Sequence, residues 1–436
     1  MGIAVRLTSL SCQKLIFILV SVLSTNGLGG LQIPIISVRD YKSRTAKVKR
    51  LILKQFKVAT PVRRGVDRLM HIPGLNTFAL NALAVVCFPS IFLHLGAMTV
   101  TEVKNKYRLG RMFMRYLSLR KVLNYMLLYG SFHWSRLIKR PHLLGLPIAM
   151  SIEPTTGCNL RCPECPSGLR SFTRPTGMLD KNLYQKIIEQ SAHHLAYLHL
   201  YFQGEPFLHP GFLDLVKYAD EKGIFTATST NAHFLNEKTV PKILSSGLKH
   251  LIVSVDGASQ GVYEQYRIGG NLERVKKGVQ LLIAERNAAG KQFPQVIFQF
   301  LVTGKNEHEL PDIQRLSASL QVDELQLKTA QIYDFENGSD LIPKDLQYSR
   351  YLPKGNGKWQ LKKPIRNKCW RMWQGAVITW DGDMVPCCFD KDANHKMGSL
   401  VKVPLNQIWH NTMYRTFRKQ LLKDRTQIAI CKNCSE

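Results

Sequence analysis

Short apolar runs alternate with helical segments from residue 148 onward, and this alternation is the clearest structural signal in the chain. The runs with strand-like length and composition are Ile148–Ile152, Tyr197–Phe202, Thr226–Ser229, Leu251–Val255, Val296–Val302 and Glu324–Lys328. Segments with helical spacing lie between them, near residues 181–193, 210–221, 237–246, 260–288 and 307–319. Such alternation predicts a parallel α/β sheet, open or closed into a barrel, with the chemistry at the carboxyl ends of its strands.

A basic amphipathic helix is predicted before the first strand, over residues 100–140, and Pro141 and Gly145 end it. Its apolar positions recur at helical spacing with Arg and Lys between them: Met112, Tyr116, Leu119, Leu123, Met126, Leu127 and Tyr129. We expect this stripe to pack on its own domain, although helices of this kind also lie on membranes.

Residues 1–97 differ in composition from the rest of the chain, with 13 Lys or Arg against 2 Asp or Glu. The apolar run Leu15–Leu23 resembles a signal peptide, but no small-residue cleavage site follows it. Residues 74–97 carry no charged side chain and have the length of a membrane span, which Pro89 interrupts. Because ordinary charge balance begins at Met98, two interpretations stay open: a membrane anchor, or a translation start at Met98.

The 436 residues carry 60 Lys or Arg against 31 Asp or Glu, a formal charge of +29. Such a charge suits an acidic ligand or an anionic surface, or it is simply solvated. The sequence contains no helix-turn-helix signature, RNP box or zinc-finger spacing, so we expect no nucleic-acid partner.

Eight of the ten cysteines fall into two groups, which favours metal or iron–sulfur ligation over a disulfide framework. The first group is Cys158, Cys162 and Cys165, in C-x3-C-x2-C spacing directly after the first predicted strand. Three thiolates leave one position of a metal centre open. That position would hold water on a hydrolytic zinc ion, or a substrate or cofactor on one iron of a [4Fe–4S] cluster.

The C-x3-C-x2-C loop, its place after strand one and the α/β repeat together resemble the radical S-adenosylmethionine (SAM) enzyme superfamily. The resemblance implies that Cys158, Cys162 and Cys165 hold a [4Fe–4S] cluster whose unique iron SAM chelates. An electron from the cluster then cleaves SAM to a 5′-deoxyadenosyl radical, which abstracts hydrogen from substrate. One departure is Glu164, where the family usually has an aromatic residue.

Further motifs extend this resemblance along the barrel. Gln203-Gly204-Glu205-Pro206 ends the second predicted strand and resembles the family's GGEP motif, which meets the SAM amino group, with Gln203 replacing the first glycine. The resemblance implies that Ser254 and Asp256 contact the ribose and methionyl parts of SAM, and that Arg267 pairs with its carboxylate. Further pocket-lining candidates are Thr230, Asn231, Gln299 and Lys328.

The second cysteine group resembles a SPASM domain in its shortened twitch form. Cys369, Gly382 and Cys387 match the opening of that domain, and Cys431 and Cys434 follow. The resemblance implies that Cys369, Cys387, Cys431 and Cys434 hold one auxiliary [4Fe–4S] cluster. Cys388 competes with Cys387 as a ligand, and a four-cysteine structural zinc site has the same ligand count.

The predicted architecture is therefore a partial (β/α)6 TIM-type barrel with a small C-terminal SPASM/twitch module. Its predicted parts are the N-terminal segment 1–97, a helical lead-in 98–147, the barrel 148–340, a linker 341–366 and the cluster module 367–436. The resemblance implies a cytoplasmic enzyme of peptide maturation or alcohol oxidation, supplied with electrons by flavodoxin or ferredoxin. The substrate is unidentified, a peptide being one candidate, and any membrane contact would come through residues 1–97. The alternative is a non-enzymatic zinc-knuckle scaffold that binds nucleic acid or an anionic membrane.

Overall fold

The computed structural model describes residues 113–434. The chain divides into two units after Arg115, and the described residues lie almost entirely in the second, Tyr116–Glu436. The predictions for residues 1–97 therefore lie outside the described residues.

A nine-stranded sheet organises the second unit, in the order β11-β10-β9-β1-β2-β3-β4-β5-β6. Its first six strands are β1 (Ala149–Ile152), β2 (Tyr197–His199), β3 (Phe225–Thr230), β4 (His250–Ser254), β5 (Gln295–Val302) and β6 (Glu324–Thr329). Each pairs in parallel with the next along the chain, as in Ser254 opposite Gln299. The predicted partial α/β barrel is confirmed, and the carboxyl ends of its strands lie at one edge.

Helices connect these strands and bury their apolar faces against the sheet. They are α1 (Leu119–Ile138), α2 (Pro166–Leu169), α3 (Lys181–Ser191), α4 (Phe212–Glu221), α5 (Val240–Ser245), α6 (Gln260–Tyr266), α7 (Leu272–Ala288) and α8 (Leu310–Ser319). The single helix predicted over 260–288 is two helices. Gly269, at φ +80°, breaks it, and the Asn271 side chain caps the start of α7 by accepting from the Arg274 amide.

The C-terminal module continues the barrel sheet, which the sequence did not predict. Strand β9 (Gly375–Ile378) pairs in parallel with β1, and β10 (Asp383–Val385) and β11 (Gly398–Ser399) follow antiparallel. A Cβ at Gly375 would lie 2.2 Å from the Ala149 carbonyl oxygen, so this close approach needs glycine. The pairing covers the edge that β1 would otherwise expose. The module is completed by α9 (Arg371–Gln374), α10 (Leu405–Trp409) and α11 (Thr412–Lys423).

A β-hairpin lies inside the segment that we predicted as a linker. Its strands are β7 (Tyr351–Gly355) and β8 (Lys358–Leu361). Tyr351 is buried and stacks on Phe335 with 4.5 Å between ring centroids. It belongs to the same buried cluster as Leu160 and Cys162, so the hairpin packs beside the first cysteine loop.

Helix α1 confirms part of the predicted lead-in, but its apolar stripe packs differently from our expectation. Leu128 and Phe132 are buried, whereas Leu119, Leu123 and Leu127 on the predicted stripe are 74%, 48% and 48% exposed. The core therefore takes the neighbouring face of the helix. Within residues 113–434, no helix has the length and apolar character needed to cross a membrane.

Candidate functional site

Cys158, Cys162 and Cys165 lie on one loop that follows the carboxyl end of β1. The loop is shaped by its own backbone: the Gly157 amide donates to Thr155 Oγ1, and the Cys165 amide donates to the Cys162 carbonyl. Helix α2 begins directly after Cys165 and presses on the loop, since a Cβ at Gly168 would lie 2.5 Å from the Cys162 amide nitrogen. The three thiols are thus held together by local geometry, and all are free of disulfides.

The turn after β2 closes over this loop. Gly204 has φ +74°, and a Cβ there would lie 2.2 Å from the Thr155 carbonyl oxygen. Its amide donates to Ser167 Oγ at 2.9 Å, and the Glu205 amide donates to the Gly157 carbonyl at 2.7 Å. Glycine is therefore required at position 204, because the turn meets the backbone that leads into the cysteines.

Gln203 and Glu205 project to the two ends of the cysteine loop. The Cys165 thiol donates to Gln203 Oε1 at 3.9 Å, so Gln203, which replaces the first glycine of the predicted motif, contacts the third cysteine. Glu205 is buried and accepts from Thr230 Oγ1 and from the Asn231 amide, both at 2.7 Å. Burial raises the pKa of Glu205 to about 7. Pro206 starts the 3-10 turn Pro206–Leu208 that follows.

Asp256, which is buried, and Arg267, which is half-buried, form an ion pair beside Cys162. Arg267 Nε donates to Asp256 Oδ2 at 2.5 Å, and Arg267 Nη1 donates to Cys162 Sγ at 3.6 Å. The second oxygen of Asp256 accepts from the Leu301 amide at 2.7 Å. Burial opposes the charge of Arg267, but Asp256 and the Cys162 thiol outweigh it and raise the pKa of the guanidinium. Asp256 and Arg267, both predicted from the sequence, therefore lie at the cysteine loop, where they are bonded to each other.

The other predicted pocket residues of the barrel also lie towards the carboxyl ends of the strands, but they differ in how exposed their side chains are. Asn231 donates from Nδ2 to Asn159 Oδ1 at 2.8 Å, with Cys158 Sγ at 4.0 Å, so it supports the first cysteine. Ser254 ends β4 half-buried, opposite Gln299 on β5. Lys328 on β6 is exposed and stands further from the cysteine loop in strand order.

The C-terminal cysteines converge on a second site. Cys431 and Cys434 are buried, and Arg425 Nη2 donates to Cys434 Sγ at 2.7 Å. Burial raises the pKa of the Cys387 thiol, and the thiols of Cys388, Cys369 and Cys431 raise it further. The ligand set Cys369, Cys387, Cys431 and Cys434 stays a prediction.

Cys388 is the neighbouring thiol. Its Sγ accepts from Arg371 Nη1 at 3.6 Å, and the side chain packs against a buried cluster that contains Phe202 and Val385. Cys387 as the ligand in preference to Cys388 stays a prediction.

Sequence reasoning missed three residues at these sites. Tyr201 lies two residues before Gln203, and burial and the nearby Cys165 thiol raise its pKa. The period of two along a strand could have identified it. Arg425 at the second site and Ser167 at the first had no recognisable signal, because only the fold brings them to the cysteines.

The donor sets fit iron–sulfur clusters. Three thiols on one loop leave a coordination position open, and four thiols fill every position. Among residues 113–434, no three or more His, Cys, Asp or Glu side chains are arranged to hold a single metal ion.

Two domain profiles match the chain. The radical SAM superfamily profile matches residues 152–316, and the profile of SPASM, an iron–sulfur cluster-binding domain, matches residues 369–435. These ranges contain both cysteine groups. Neither profile supports the zinc-knuckle scaffold that we kept as an alternative.

Relatives among characterised proteins are distant. A tungsten-containing aldehyde ferredoxin oxidoreductase cofactor-modifying protein of Pyrococcus furiosus is 26% identical over 316 residues, covering 65% of this chain and 86% of that protein. A PqqA peptide cyclase of Bradyrhizobium diazoefficiens is 27% identical, covering 46% of this chain and only 51% of the cyclase. An S-adenosyl-L-methionine-dependent 2-deoxy-scyllo-inosamine dehydrogenase of Niallia circulans is 24% identical, covering 66% and 92%.

The fold is also shared with a solved structure. Streptococcus suis SuiB bound to S-adenosylmethionine superposes with a TM-score of 0.51 at 16% identity, covering 77% of this chain and 82% of SuiB.

Proposed function

Because the chain belongs to the radical SAM superfamily and carries a C-terminal SPASM domain, we propose that it cleaves SAM reductively and abstracts hydrogen from a peptide or an alcohol. The observation that carries the proposal is the contact between the Gly204 turn and the cysteine loop, with Arg267 beside Cys162. These contacts bring the cysteine loop, the Gly204 turn and Arg267 together at one edge of the sheet.

Cys158, Cys162 and Cys165 would hold the [4Fe–4S] cluster that SAM binds, and its chemistry would be the one-electron cleavage of SAM. The protein places a cationic side chain and several hydrogen-bonding groups around the three cysteines. Asp256 fixes Arg267 through Nε, and Nη2 of Arg267 has no partner among the described residues, so it is available to the SAM carboxylate. Glu205 and Ser254 line the same edge and would meet the amino and ribose groups.

Cys369, Cys387, Cys431 and Cys434 would hold the auxiliary [4Fe–4S] cluster. Four protein thiols leave no open iron, which suits electron transfer over substrate binding. Arg425 lowers the local negative charge by donating to Cys434.

The proposal that the substrate is a peptide or an alcohol is supported by what the relatives act on, in addition to the site. Those named above include a peptide cyclase and a dehydrogenase of an inosamine alcohol. A peptide is the substrate that we favour. We further propose that flavodoxin or ferredoxin supplies the electron, in the cytoplasm, where thiols stay reduced.

The test is anaerobic reconstitution followed by an assay of 5′-deoxyadenosine. The wild-type protein should bind about eight irons and cleave SAM with dithionite as reductant. Replacing Cys158, Cys162 and Cys165 with Ala should leave about four irons and no cleavage. SAM cleavage by that folded triple variant would refute the assignment of the catalytic cluster.

A further inference from the structure

An open groove lies beside the β7–β8 hairpin, with a volume of about 900 Å³. We call it the hairpin groove. The hairpin forms one wall of the groove. Residues 335–336 and the C-terminal loop form the rest of its lining. Its lysines are Lys354, Lys358, Lys363 and Lys432, and Phe335 and Trp359 supply aromatic surface.

The hairpin groove carries uncompensated positive charge. Residues 350–368 contain seven Lys or Arg and no Asp or Glu. Glu336 is the one acidic residue among those that line the groove. None of its four lysines forms a salt bridge within residues 113–434. A surface of this kind attracts a partner with an acidic face.

The groove adjoins the ligands of the auxiliary cluster. Lys432 lies between Cys431 and Cys434 in the chain and is exposed on the groove wall. Asn433 ties the hairpin to this loop, since Tyr351 Oη donates to Asn433 Oδ1 at 2.9 Å and Arg350 Nη1 donates to its carbonyl at 3.2 Å. A protein bound in the groove would therefore sit against the loop that presents two cluster cysteines.

We propose that the hairpin groove is the docking surface for an acidic one-electron carrier of the low-potential flavin or iron–sulfur class. The proposal rests on the proposed function, which requires an external electron. In each transfer the carrier is oxidised by one electron and the iron–sulfur centres of the enzyme are reduced by one, with no bond made or broken. An acidic substrate peptide would also suit the charge, but the position beside Cys431 and Cys434 favours the carrier.

The experiment uses the cluster-loaded full chain, with reduced bacterial flavodoxin as the probe. Lys354→Glu, Lys358→Glu and Lys363→Glu together should weaken flavodoxin binding at least tenfold at low salt. The difference should shrink at high salt, because screening suppresses attraction between surface charges. Flavodoxin-driven SAM cleavage should fall with binding, whereas dithionite-driven cleavage and iron content should stay at the wild-type level.

The matched control makes the same change in net charge elsewhere. Lys238→Glu, Lys242→Glu and Lys277→Glu alter three exposed lysines outside the hairpin groove, and this variant should bind flavodoxin like the wild type. The proposal is wrong if the wild type shows no salt-dependent binding, or if both variants lose binding equally. It is also wrong if the groove variant, with full iron, loses dithionite-driven cleavage, since the substitutions would then act on SAM cleavage itself and not on docking of the carrier. Failure of the wild type to cleave SAM with dithionite would refute the proposed function instead, while the binding measurement still decides the docking surface.

Discussion

Gly204→Ala should damage the catalytic site, because the turn meets the backbone of the cysteine loop at this residue. The residue has φ +74°, a conformation that costs an L-residue about 1–2 kcal/mol. The new Cβ would also lie 2.2 Å from the Thr155 carbonyl oxygen and 2.8 Å from that of Gly157. Those backbone atoms must retreat by roughly 1 Å to reach ordinary contact distance.

The two costs together should reach about 3–5 kcal/mol. Most of this cost falls on the loop backbone that leads from β1 to Cys158, because the obstructing atoms belong to Thr155 and Gly157. We therefore expect Gly204→Ala to lose iron from the catalytic site and SAM affinity, while the auxiliary site keeps its iron. The readouts are iron per chain, SAM binding by equilibrium dialysis and the melting temperature.

Gly290→Ala is the matched control for this variant. Gly290 has φ +61°, and no atom lies within 4 Å of a Cβ built there, so the control carries only the conformational cost. It should lower the free energy of unfolding by about 1 kcal/mol and leave SAM binding intact. If Gly204→Ala matches Gly290→Ala in iron content and SAM binding, the close approach does not shape the site.

Three further perturbations test other parts of the structure. Cys387→Ala should lose about four irons and Cys388→Ala none, as measured by iron content; the reverse result would reassign the ligand. Burial lowers the pKa of His250 from 6.5 to about 4, so the folded state favours the neutral ring. Through this one ring the free energy of unfolding should then fall by about 3 kcal/mol between pH 7 and pH 4, and the fall measured by urea unfolding should be smaller by about that amount in His250→Gln. Arg174→Ala should lower the free energy of unfolding by about 3–5 kcal/mol in the same assay, because it leaves the buried Glu153 carboxylate without its cationic partner. Arg174 donates to the two oxygens of that carboxylate at 2.6 and 2.8 Å. The double variant Glu153→Gln with Arg174→Met should recover part of the lost stability.

The sequence predicted the parts of the fold that local patterns encode. Strand and helix periodicity located all six barrel strands, and cysteine spacing located both clusters of thiols. The pairing of β9 with β1 was not predictable, because it joins residues more than 220 positions apart and depends on which edge remains open. No periodicity within either segment specifies its partner.

Two other features have a signal in the sequence. The hairpin turn Gly355-Asn356-Gly357 is a strong turn sequence inside the segment that we predicted as a linker. The break between α6 and α7 falls at Gly269 and Gly270, which also signal a turn. The helical periodicity of the apolar residues continues across both glycines, whereas the helix itself ends at Tyr266 and a new one begins at Leu272.

Glu164 shows how the two cysteine sites form one continuous structure. Its Oε2 accepts from the Tyr333 amide at 3.0 Å, at the end of the barrel. The preceding residue, Ile332, accepts at its carbonyl from Asn433 Nδ2 at 2.6 Å. Adjacent residues after β6 are therefore tied to the catalytic loop on one side and to the auxiliary loop on the other. A phenylalanine at position 164 would offer the Tyr333 amide no acceptor, so the carboxylate of Glu164 gives this chain a polar connection between its two cysteine sites.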